Sequence, residues 1–328
     1  NASCEWCAAK YQTGERAFIP TDWIKMLLED AAEIGVRGMV IMSDGESTLH
    51  PFWAESIRLG KSLGLDMAAA SNGFLLTPEL SESALPYLTY LRINFGAGGP
   101  KRYAEIMGVP ERWFYRVQEN IRHMVKRKRE LGLGVTINMS MVLHPRNADQ
   151  IMPFAELGRE LGVDYAIIKH CLDYEGGPLG VDYSAYERME PLLVQAEALS
   201  TPEYLVTTKK QTMSCGRVAQ PDKCFGPQFL LQLSGTGLLG ACGPLFNTKY
   251  ADKYHIGNIQ ETRLKDLFWG PRYTEVMEYL QSEHFAKTRV CRNYLCVQRH
   301  LNESLSRHLS GEYRIMPAEG KVEHINFV

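Results

Sequence analysis

The chain has 328 residues, of which 45% are hydrophobic and 23% charged, a length that suffices for one large α/β barrel or two ordinary domains. Its formal net charge of −2 argues against nucleic-acid and membrane-surface partners, which require a basic excess. Because the sequence has neither a membrane-spanning apolar stretch nor a signal-peptide pattern, we expect a cytoplasmic protein.

Apolar runs typical of strands alternate with amphipathic segments typical of helices from Thr21 to about Ser200. This alternation favours a parallel sheet wrapped by helices. Five strands are predicted, too few for a closed barrel of eight. The predicted strands cover residues 38–42, 66–70, 88–95, 133–139 and 165–170, and the predicted helices cover residues 22–35, 52–64, 78–85, 113–132 and 147–162.

The pattern changes beyond residue 182. A last helix at 184–200 ends at Thr201-Pro202, and residues 209–223 are polar and loop-like. Two short apolar runs then flank Ser234-Gly235-Thr236, which predicts a β-hairpin with glycine in its turn. We therefore predict a barrel-like domain followed by a compact appendage that carries cysteines.

Eight cysteines cluster towards the two ends of the sequence. In a large chain without a leader, such clusters indicate metal binding rather than disulfides or structural thiols. Cys4-Glu5-Trp6-Cys7 alone could be a redox pair, half of a zinc site or a coincidence. It is accompanied by Ser43-Asp44-Gly45-Glu46, which places a carboxylate where the predicted strand 38–42 ends, and by Ser71 and Asn94 at the ends of the next two strands.

Together these motifs resemble the radical S-adenosylmethionine (radical SAM) family, whose signature is Cys-x3-Cys-x2-Cys with an aromatic residue before the last cysteine. Cys4, Trp6 and Cys7 match its second half, and the first cysteine would fall immediately before Asn1. The family's first strand would also lie upstream. We therefore expect an N-terminally truncated sequence rather than a member that has lost its cluster, and a partial (β/α)6 TIM-like barrel whose first strand is missing.

The resemblance implies roles for the N-terminal motifs. Cys4 and Cys7 would ligate a [4Fe–4S] cluster that binds S-adenosylmethionine, and Trp6 would pack against the adenine. The stretch Ser43, Asp44, Gly45 and Glu46 stands where the family has Gly-Gly-Glu-Pro, with Glu46 accepting a hydrogen bond from the ammonium group. Ser71 and Asn94 would contact the methionine portion and the ribose. Asp44 and Ser47 depart from the family's motif, but the carboxylate is kept. Asn94 stands where serine is commoner in the family, and Gly96 where aspartate is common.

The C-terminal cysteines resemble those of SPASM and twitch domains, which hold auxiliary clusters. Cys224, Cys242, Cys291 and Cys296 supply the four thiols that one fully ligated [4Fe–4S] cluster needs, with tetrahedral zinc as the alternative. Cys171 and Cys215 are candidate catalytic residues, as hydrogen-atom donors to a product radical. Cys215 could also be a spare ligand, and either could be an inert buried thiol.

The implied function is a radical SAM enzyme that reductively cleaves S-adenosylmethionine to a 5′-deoxyadenosyl radical, which abstracts a substrate hydrogen. We expect oxidation, dehydrogenation or epimerisation of a small polyol, sugar or aminocyclitol, with modification of a ribosomal peptide or protein side chain as the alternative. A reductant such as flavodoxin or ferredoxin would be a partner. A zinc-binding interaction module and an electron-transfer protein are the alternatives of another class. The predicted domains are the barrel at 1–205, the cluster-binding domain at 206–300 and a tail at 301–328.

Overall fold

The computed structural model describes residues 1–7, 18–42, 45–173, 177–210, 213, 221–288, 290–293, 296, 298–316 and 324–327. The chain forms two compact units. One contains Asn1–Ala8, Arg37–Asp173 and Leu179–Gly216, and the other contains Ala9–Val36, Tyr174–Pro178 and Arg217–Val328. The domain boundaries predicted from the sequence remain predictions.

The first unit is built on a parallel sheet whose six strands, among the described residues, follow one another in sequence order. Consecutive parallel strands joined by helical crossovers are the arrangement of a (β/α) barrel, so the predicted fold class is confirmed. The strands are β1 (Gly38–Ile41), β2 (Asp66–Ser71), β3 (Leu88–Asn94), β4 (Thr136–Leu143), β5 (Tyr165–His170) and β6 (Leu205–Thr208).

The sixth strand was not predicted, so the expectation of five strands in this chain is wrong. Strand β6 is only four residues long and pairs with β5 from Tyr165↔Leu205 to Ile168↔Thr208. A short Thr201–Tyr204 bridge reverses the chain just before it. Only Leu205 and Val206 of this strand are apolar, which is too short an apolar run to be distinguished from a loop by its sequence.

The helices of this unit cover one side of the sheet with their apolar faces. Helix α2 approaches β2 so closely that a Cβ at Gly60 would lie 2.4 Å from the Met67 sulfur. Strand β2 fits there because its centre is Met-Ala-Ala-Ala, which is almost entirely buried. The helices are α2 (Trp53–Ser62), α3 (Pro78–Ala84), α4 (Pro100–Met107), α5 (Arg112–Leu131), α6 (Ile151–Leu161) and α7 (Glu190–Glu197), and α1 (Thr21–Glu33) belongs to the second unit.

The second unit contains a small antiparallel sheet, β7 (Gln232–Leu233), β8 (Leu238–Gly240) and β9 (His255–Asn258). Its first two strands form the predicted hairpin around Ser234-Gly235-Thr236. Asp30 of α1 is 1% exposed and forms an ion pair with Arg263, which ties α1 to this unit. The remaining helices are α8 (Ala251–Tyr254), α9 (Leu264–Leu267), α10 (Pro271–Leu280), α11 (Glu283–Thr288) and α12 (Arg299–Leu309).

None of the helices within the described ranges combines the length and the apolar composition that crossing a membrane requires.

Candidate functional site

The segment that carries Cys4 and Cys7 is held against the end of α4. The backbone N–H groups of Ser3 and Glu5 donate to the carbonyls of Met107 and Ile106, at 3.1 and 2.8 Å. Gly108 makes this approach possible, since its φ is +61° and a Cβ there would lie 2.4 Å from the Ser3 carbonyl oxygen. The N–H of Cys7 donates to the carbonyl of Cys4 at 3.3 Å, which places both thiols on one tight turn.

Glu46 lies at the C-terminal edge of the sheet, between the ends of β1 and β2, and is only 7% exposed. Its Oε1 accepts hydrogen bonds from Ser71 Oγ at 2.7 Å and from Thr48 Oγ1 at 2.6 Å. Its Oε2 accepts from the backbone N–H of Asn72 at 2.8 Å. These donors orient the carboxylate, and Oε2 retains a lone pair for a cationic donor from outside.

The structure therefore brings two predicted site residues, Glu46 and Ser71, into direct contact. Ser71 orients Glu46, since its hydroxyl donates to the carboxylate and accepts from Gly73 N–H at 2.9 Å. Asn94 is exposed at the end of β3, one residue beyond the position that pairs with Ser71. Gly45 is exposed beside Glu46. Ser43 and Asp44 lie outside the described residues.

Tyr103 of α4 was not predicted as a site residue. It is fully buried, and its hydroxyl has no hydrogen-bond partner among the described residues. Burial, Cys4 and Glu46 together raise the pKa of Tyr103 well above its usual value, so the phenol stays protonated. An unpartnered buried O–H within electrostatic reach of both Cys4 and Glu46 is a donor available to a bound group.

Trp6 is 9% exposed and stacks on His144, with 4.8 Å between ring centroids and 15° between ring planes. Arg146 lies 5.5 Å from the Trp6 ring and forms an ion pair with Glu5. Burial lowers the pKa of His144, and its Nδ1 accepts from Arg146 N–H, so the ring is neutral. His144, which was also missed, thus fixes the indole; the adenine contact of Trp6 remains a prediction.

The second unit gathers the four C-terminal thiols. Burial raises the pKa of Cys242, and Cys296, Cys291 and Cys224 each raise it further, so the four thiols lie close together. Burial likewise raises the pKa of Cys291 to about 12. In the described part of the chain, however, no group of three or more His, Cys, Asp or Glu side chains is arranged to hold a single metal ion.

Four neighbouring thiols can serve either zinc or a cluster. A tetrahedral zinc site holds all four thiolates about 2.3 Å from one ion, whereas a four-iron cluster takes one thiolate on each iron. The neighbouring side chains are also suitable for a cluster site: Asn302 Nδ2 lies 3.6 Å from the Cys224 sulfur, and the buried Nε2 of Gln298 has no partner among the described residues. Such donors are the outer contacts that tune cluster sulfurs.

Comparison with known proteins identifies two family matches along the chain. Residues 1–158 match the Radical SAM superfamily, and residues 224–296 match SPASM, an iron–sulfur cluster-binding domain. Residues 1–158 belong to the radical SAM superfamily. Membership in this superfamily favours an enzyme over the zinc-binding module and the electron-transfer protein that the cysteines alone left open.

Individual relatives are distant. The chain is 26% identical to the probable GTP 3′,8-cyclase of Saccharolobus islandicus over 193 residues, and this aligned stretch covers 58% of each protein. It is 25% identical to the AdoMet-dependent heme synthase of Methanosarcina barkeri over 82% of this chain and 78% of the synthase. The crystal structure of Streptococcus suis SuiB bound to S-adenosylmethionine shares the fold, with a TM-score of 0.61 and 15% identity over 84% of this chain and 65% of SuiB. The match thus spans little more than half the length of the cyclase.

The two families imply a SAM-binding [4Fe–4S] cluster, an auxiliary cluster and S-adenosylmethionine, and the residues of this radical SAM chain fit them. Thiolates are the usual ligands of iron–sulfur clusters, and the chain presents one pair at Cys4 and Cys7 and a set of four in the second unit. The unpartnered donors, Tyr103 Oη and Gln298 Nε2, lie beside these two groups of thiols.

Of the two predicted hydrogen-atom donors, the structure describes Cys171. Cys171 directly follows β5, is 1% exposed, and has its pKa raised to about 12 by burial, so it is a protonated thiol. Its backbone is fixed by Tyr186, whose hydroxyl oxygen accepts a hydrogen bond from the N–H of Cys171 at 2.9 Å. Cys215 lies outside the described residues.

Proposed function

We propose that this chain reductively cleaves S-adenosylmethionine and removes a hydrogen atom from a small-molecule substrate. The observation that carries the proposal is the Glu46 carboxylate at the strand ends, which two hydroxyls and two backbone N–H groups orient. Glu46 and Cys4 both act electrostatically on the buried Tyr103. When bound and reduced, the N-terminal cluster supplies the electron that breaks the sulfonium bond.

The residues of the chain bind and orient the reactants. Glu46 Oε2 accepts a hydrogen bond from the ammonium group of S-adenosylmethionine, as Ser71 and Asn72 hold the carboxylate in place. Tyr103 donates its unpartnered O–H into the same site. Trp6, fixed by His144, covers one side of the cofactor. Each group is ordered before binding, which lowers the entropic cost of holding the reactants together.

The names of two relatives, a GTP cyclase and a heme synthase, support a small-molecule substrate. A polyol, sugar or aminocyclitol remains a candidate substrate, with oxidation, dehydrogenation or epimerisation as the outcome. Epimerisation needs a hydrogen-atom donor, and the protonated thiol of Cys171 can be one because its S–H is retained at neutral pH. Oxidation instead needs an electron acceptor, which the auxiliary site would hold. Flavodoxin or ferredoxin is the proposed reductant.

Peptide modification is the second possibility. A structure of SuiB with its precursor peptide SuiA has a TM-score of 0.61 against this chain, but at 14% identity the likeness extends to the fold alone. We therefore favour the small molecule.

The test uses the chain with the family's first signature cysteine supplied immediately before Asn1, reconstituted anaerobically with iron and sulfide. We expect 5′-deoxyadenosine to form when dithionite and S-adenosylmethionine are added. Glu46→Gln keeps the shape of the side chain but loses its charge, and it should weaken S-adenosylmethionine binding about ten-fold or more, since hydrogen bonds to charged groups contribute roughly 1.5–3 kcal/mol.

Glu55→Gln is the matched control, because Glu55 is a half-exposed carboxylate on α2 whose partner is Arg58. Calorimetric affinity for S-adenosylmethionine should be unchanged in this variant. Equal affinity in Glu46→Gln and wild type would remove the assigned role of Glu46, and absence of 5′-deoxyadenosine from a fully reconstituted chain would contradict the proposed function.

A further inference from the structure

The inner face of the six-stranded sheet carries charged side chains that the proposed reaction does not use. Register places Arg92 of β3 beside Asn138 of β4, which in turn pairs with Tyr165 of β5. Leu91 and Ile93 are fully buried, and Ile93 lies near Val117 of α5 on the helix side. Because side chains alternate along a strand, Arg92 therefore points to the inner face.

Two cations share this inner face, and a third lies at its margin. Arg92 and Lys209 both act electrostatically on Lys169, and burial together with these like charges lowers the pKa of Lys169 to about 7. Burial also lowers the pKa of Arg92. Lys209 is exposed and directly follows β6. We call Arg92, Lys169 and Lys209 the lumen cations.

No carboxylate in the described part of the chain forms an ion pair with Arg92 or Lys169. The aromatic neighbours that act on Arg92 are Tyr90 and Tyr165, which are neutral phenols. Like charges buried without a counter-charge destabilise the folded state. A counter-charge for Arg92 and Lys169 is therefore missing from the described residues.

Three buried polar atoms close to Arg92 have no hydrogen-bond partner among the described residues. Asn138 is 1% exposed and Ser140 is 3% exposed, and neither Asn138 Oδ1 nor Ser140 Oγ has a hydrogen-bond partner among the described residues. The buried Nε of Arg92 is likewise unpartnered. Asn138 is fixed by its other amide atom, Nδ2, which donates to Tyr165 Oη at 2.9 Å. Buried polar atoms are normally satisfied, and a group of unsatisfied ones at one place indicates a ligand.

We propose that Arg92, Lys169 and Lys209 bind an anionic oxygen group of the substrate, a carboxylate or a phosphate. Both offer acceptor oxygens and negative charge, which match the planar guanidinium and the ammonium groups. The hydroxyls of a neutral polyol would satisfy hydrogen bonds but leave the charges uncompensated. The substrate is thus an acid or a phosphate ester. Taking the bound anion to be part of the substrate rests on the proposed function.

The position of the cations also relates the anion to the S-adenosylmethionine site. Arg92 lies two residues, about 6.6 Å of strand, inside Asn94 at the C-terminal edge. Glu46 and Ser71 lie at that edge. Lys169 is the last residue but one of β5, and Arg92 pairs with Ala70, the residue before Ser71. An anion bound to Arg92 and Lys169 therefore lies on the inner face beside the strand ends that carry Glu46 and Ser71.

The test is calorimetric titration of the reconstituted chain with inorganic phosphate and, separately, with succinate, without S-adenosylmethionine. We expect one of the two probes to bind with a Kd of about 1 mM or tighter. Tighter phosphate binding assigns a phosphate ester, and tighter succinate binding assigns a carboxylic acid. Lys169→Met and Arg92→Gln should each weaken the preferred probe about ten-fold.

Lys126→Met is the matched control, since Lys126 lies on α5 with 71% of its side chain exposed. Its affinity for the probe should equal that of the wild type. Glu46→Gln should also bind the probe with the wild-type affinity. The anion site is therefore tested independently of the role assigned to Glu46 in S-adenosylmethionine binding. The proposal is overturned if neither probe binds, or if Lys169→Met and Arg92→Gln bind the probe as the wild type does. A cooperative thermal unfolding transition verifies that the Lys169→Met variant is folded.

Discussion

The residues that organise this site act mainly by fixing charges at the edge and on the inner face of one sheet. Glu46 is oriented by donors from the end of the neighbouring strand, and His144 fixes Trp6 by stacking. The lumen cations differ, because Arg92 and Lys169 have no counter-charge in the described chain. We propose that Glu46 and Trp6, which neighbouring residues fix, serve cofactor binding, and that Arg92 and Lys169 serve substrate binding.

Lys169 provides a prediction about stability. Its pKa falls from the ordinary value of 10.5 to about 7 in the folded chain. Between these values the unfolded state binds a proton that the folded state lacks, so this group makes the free energy of unfolding rise with pH, by at most about 1.4 kcal/mol per unit. Below pH 7 the group is charged in both states and its full cost is present.

Lys169→Met removes this cost. We expect the variant to unfold at a higher denaturant concentration than wild type at pH 6.5, with a smaller difference at pH 9. Urea titrations in phosphate-free buffer measure the unfolding midpoints at the two pH values. Taking the difference between the two proteins removes the contributions of other titrating groups, which both proteins share. A variant that is less stable than wild type at pH 6.5 would mean that Lys169 is paired in solution.

Candidate site residues are easier to predict from the sequence when they lie close together along the chain. Cys4, Trp6, Cys7 and Glu46 were predicted because their spacing along the chain carries the motif. Tyr103 and His144 could not be found this way, since their roles come from packing against residues far away in sequence. Arg92 and Lys169 did leave a signal: a basic residue stands inside each of the apolar runs 88–95 and 165–170, where a charge is costly without a function.

At the scale of elements, the regular strands were predictable and β6 was not. Strands β1 to β5 lie in long apolar runs bounded by turn residues, which is the pattern that sequence shows most clearly. The hairpin of β7 and β8 was predicted from the glycine in its turn. Strand β6 is defined by its pairing with β5 instead, a tertiary property that no local pattern records.

The junction between α4 and the N-terminal segment provides the second prediction. Gly108→Ala places a methyl group 2.4 Å from the Ser3 carbonyl oxygen and strains a backbone with a φ of +61°. We expect the Cys4 segment to be displaced, with a loss of stability of about 1–2 kcal/mol. The N-terminal cluster should then assemble poorly, as measured by the iron content after reconstitution.

Gly132→Ala is the control for backbone strain alone. Gly132 has a similar φ of +60°, but a Cβ there meets nothing within 4 Å. This variant should lose comparable stability and retain its iron. If both variants retain the wild-type iron content, the close contact at Gly108 does not position Cys4.

At the scale of the whole molecule, two groups of thiols make the iron content a measure of both sites. The four C-terminal thiols lie close together in a region that matches an iron–sulfur cluster-binding domain, so we expect an auxiliary [4Fe–4S] cluster rather than zinc. With the first signature cysteine supplied before Asn1, the reconstituted chain should contain about eight iron and eight sulfide per molecule.

Cys242→Ala should lower both values to about four and leave the formation of 5′-deoxyadenosine without substrate intact, because the variant alters only the auxiliary site. Cys171→Ala is the matched control: this buried thiol lies outside both groups, so its iron content should stay near eight. Metal analysis by emission spectrometry and a sulfide assay measure the result. About four iron with one zinc in the wild-type chain would instead make the C-terminal thiols a structural zinc site, and the oxidative outcome would lose its electron acceptor. The epimerisation route through Cys171 would then be the one to test.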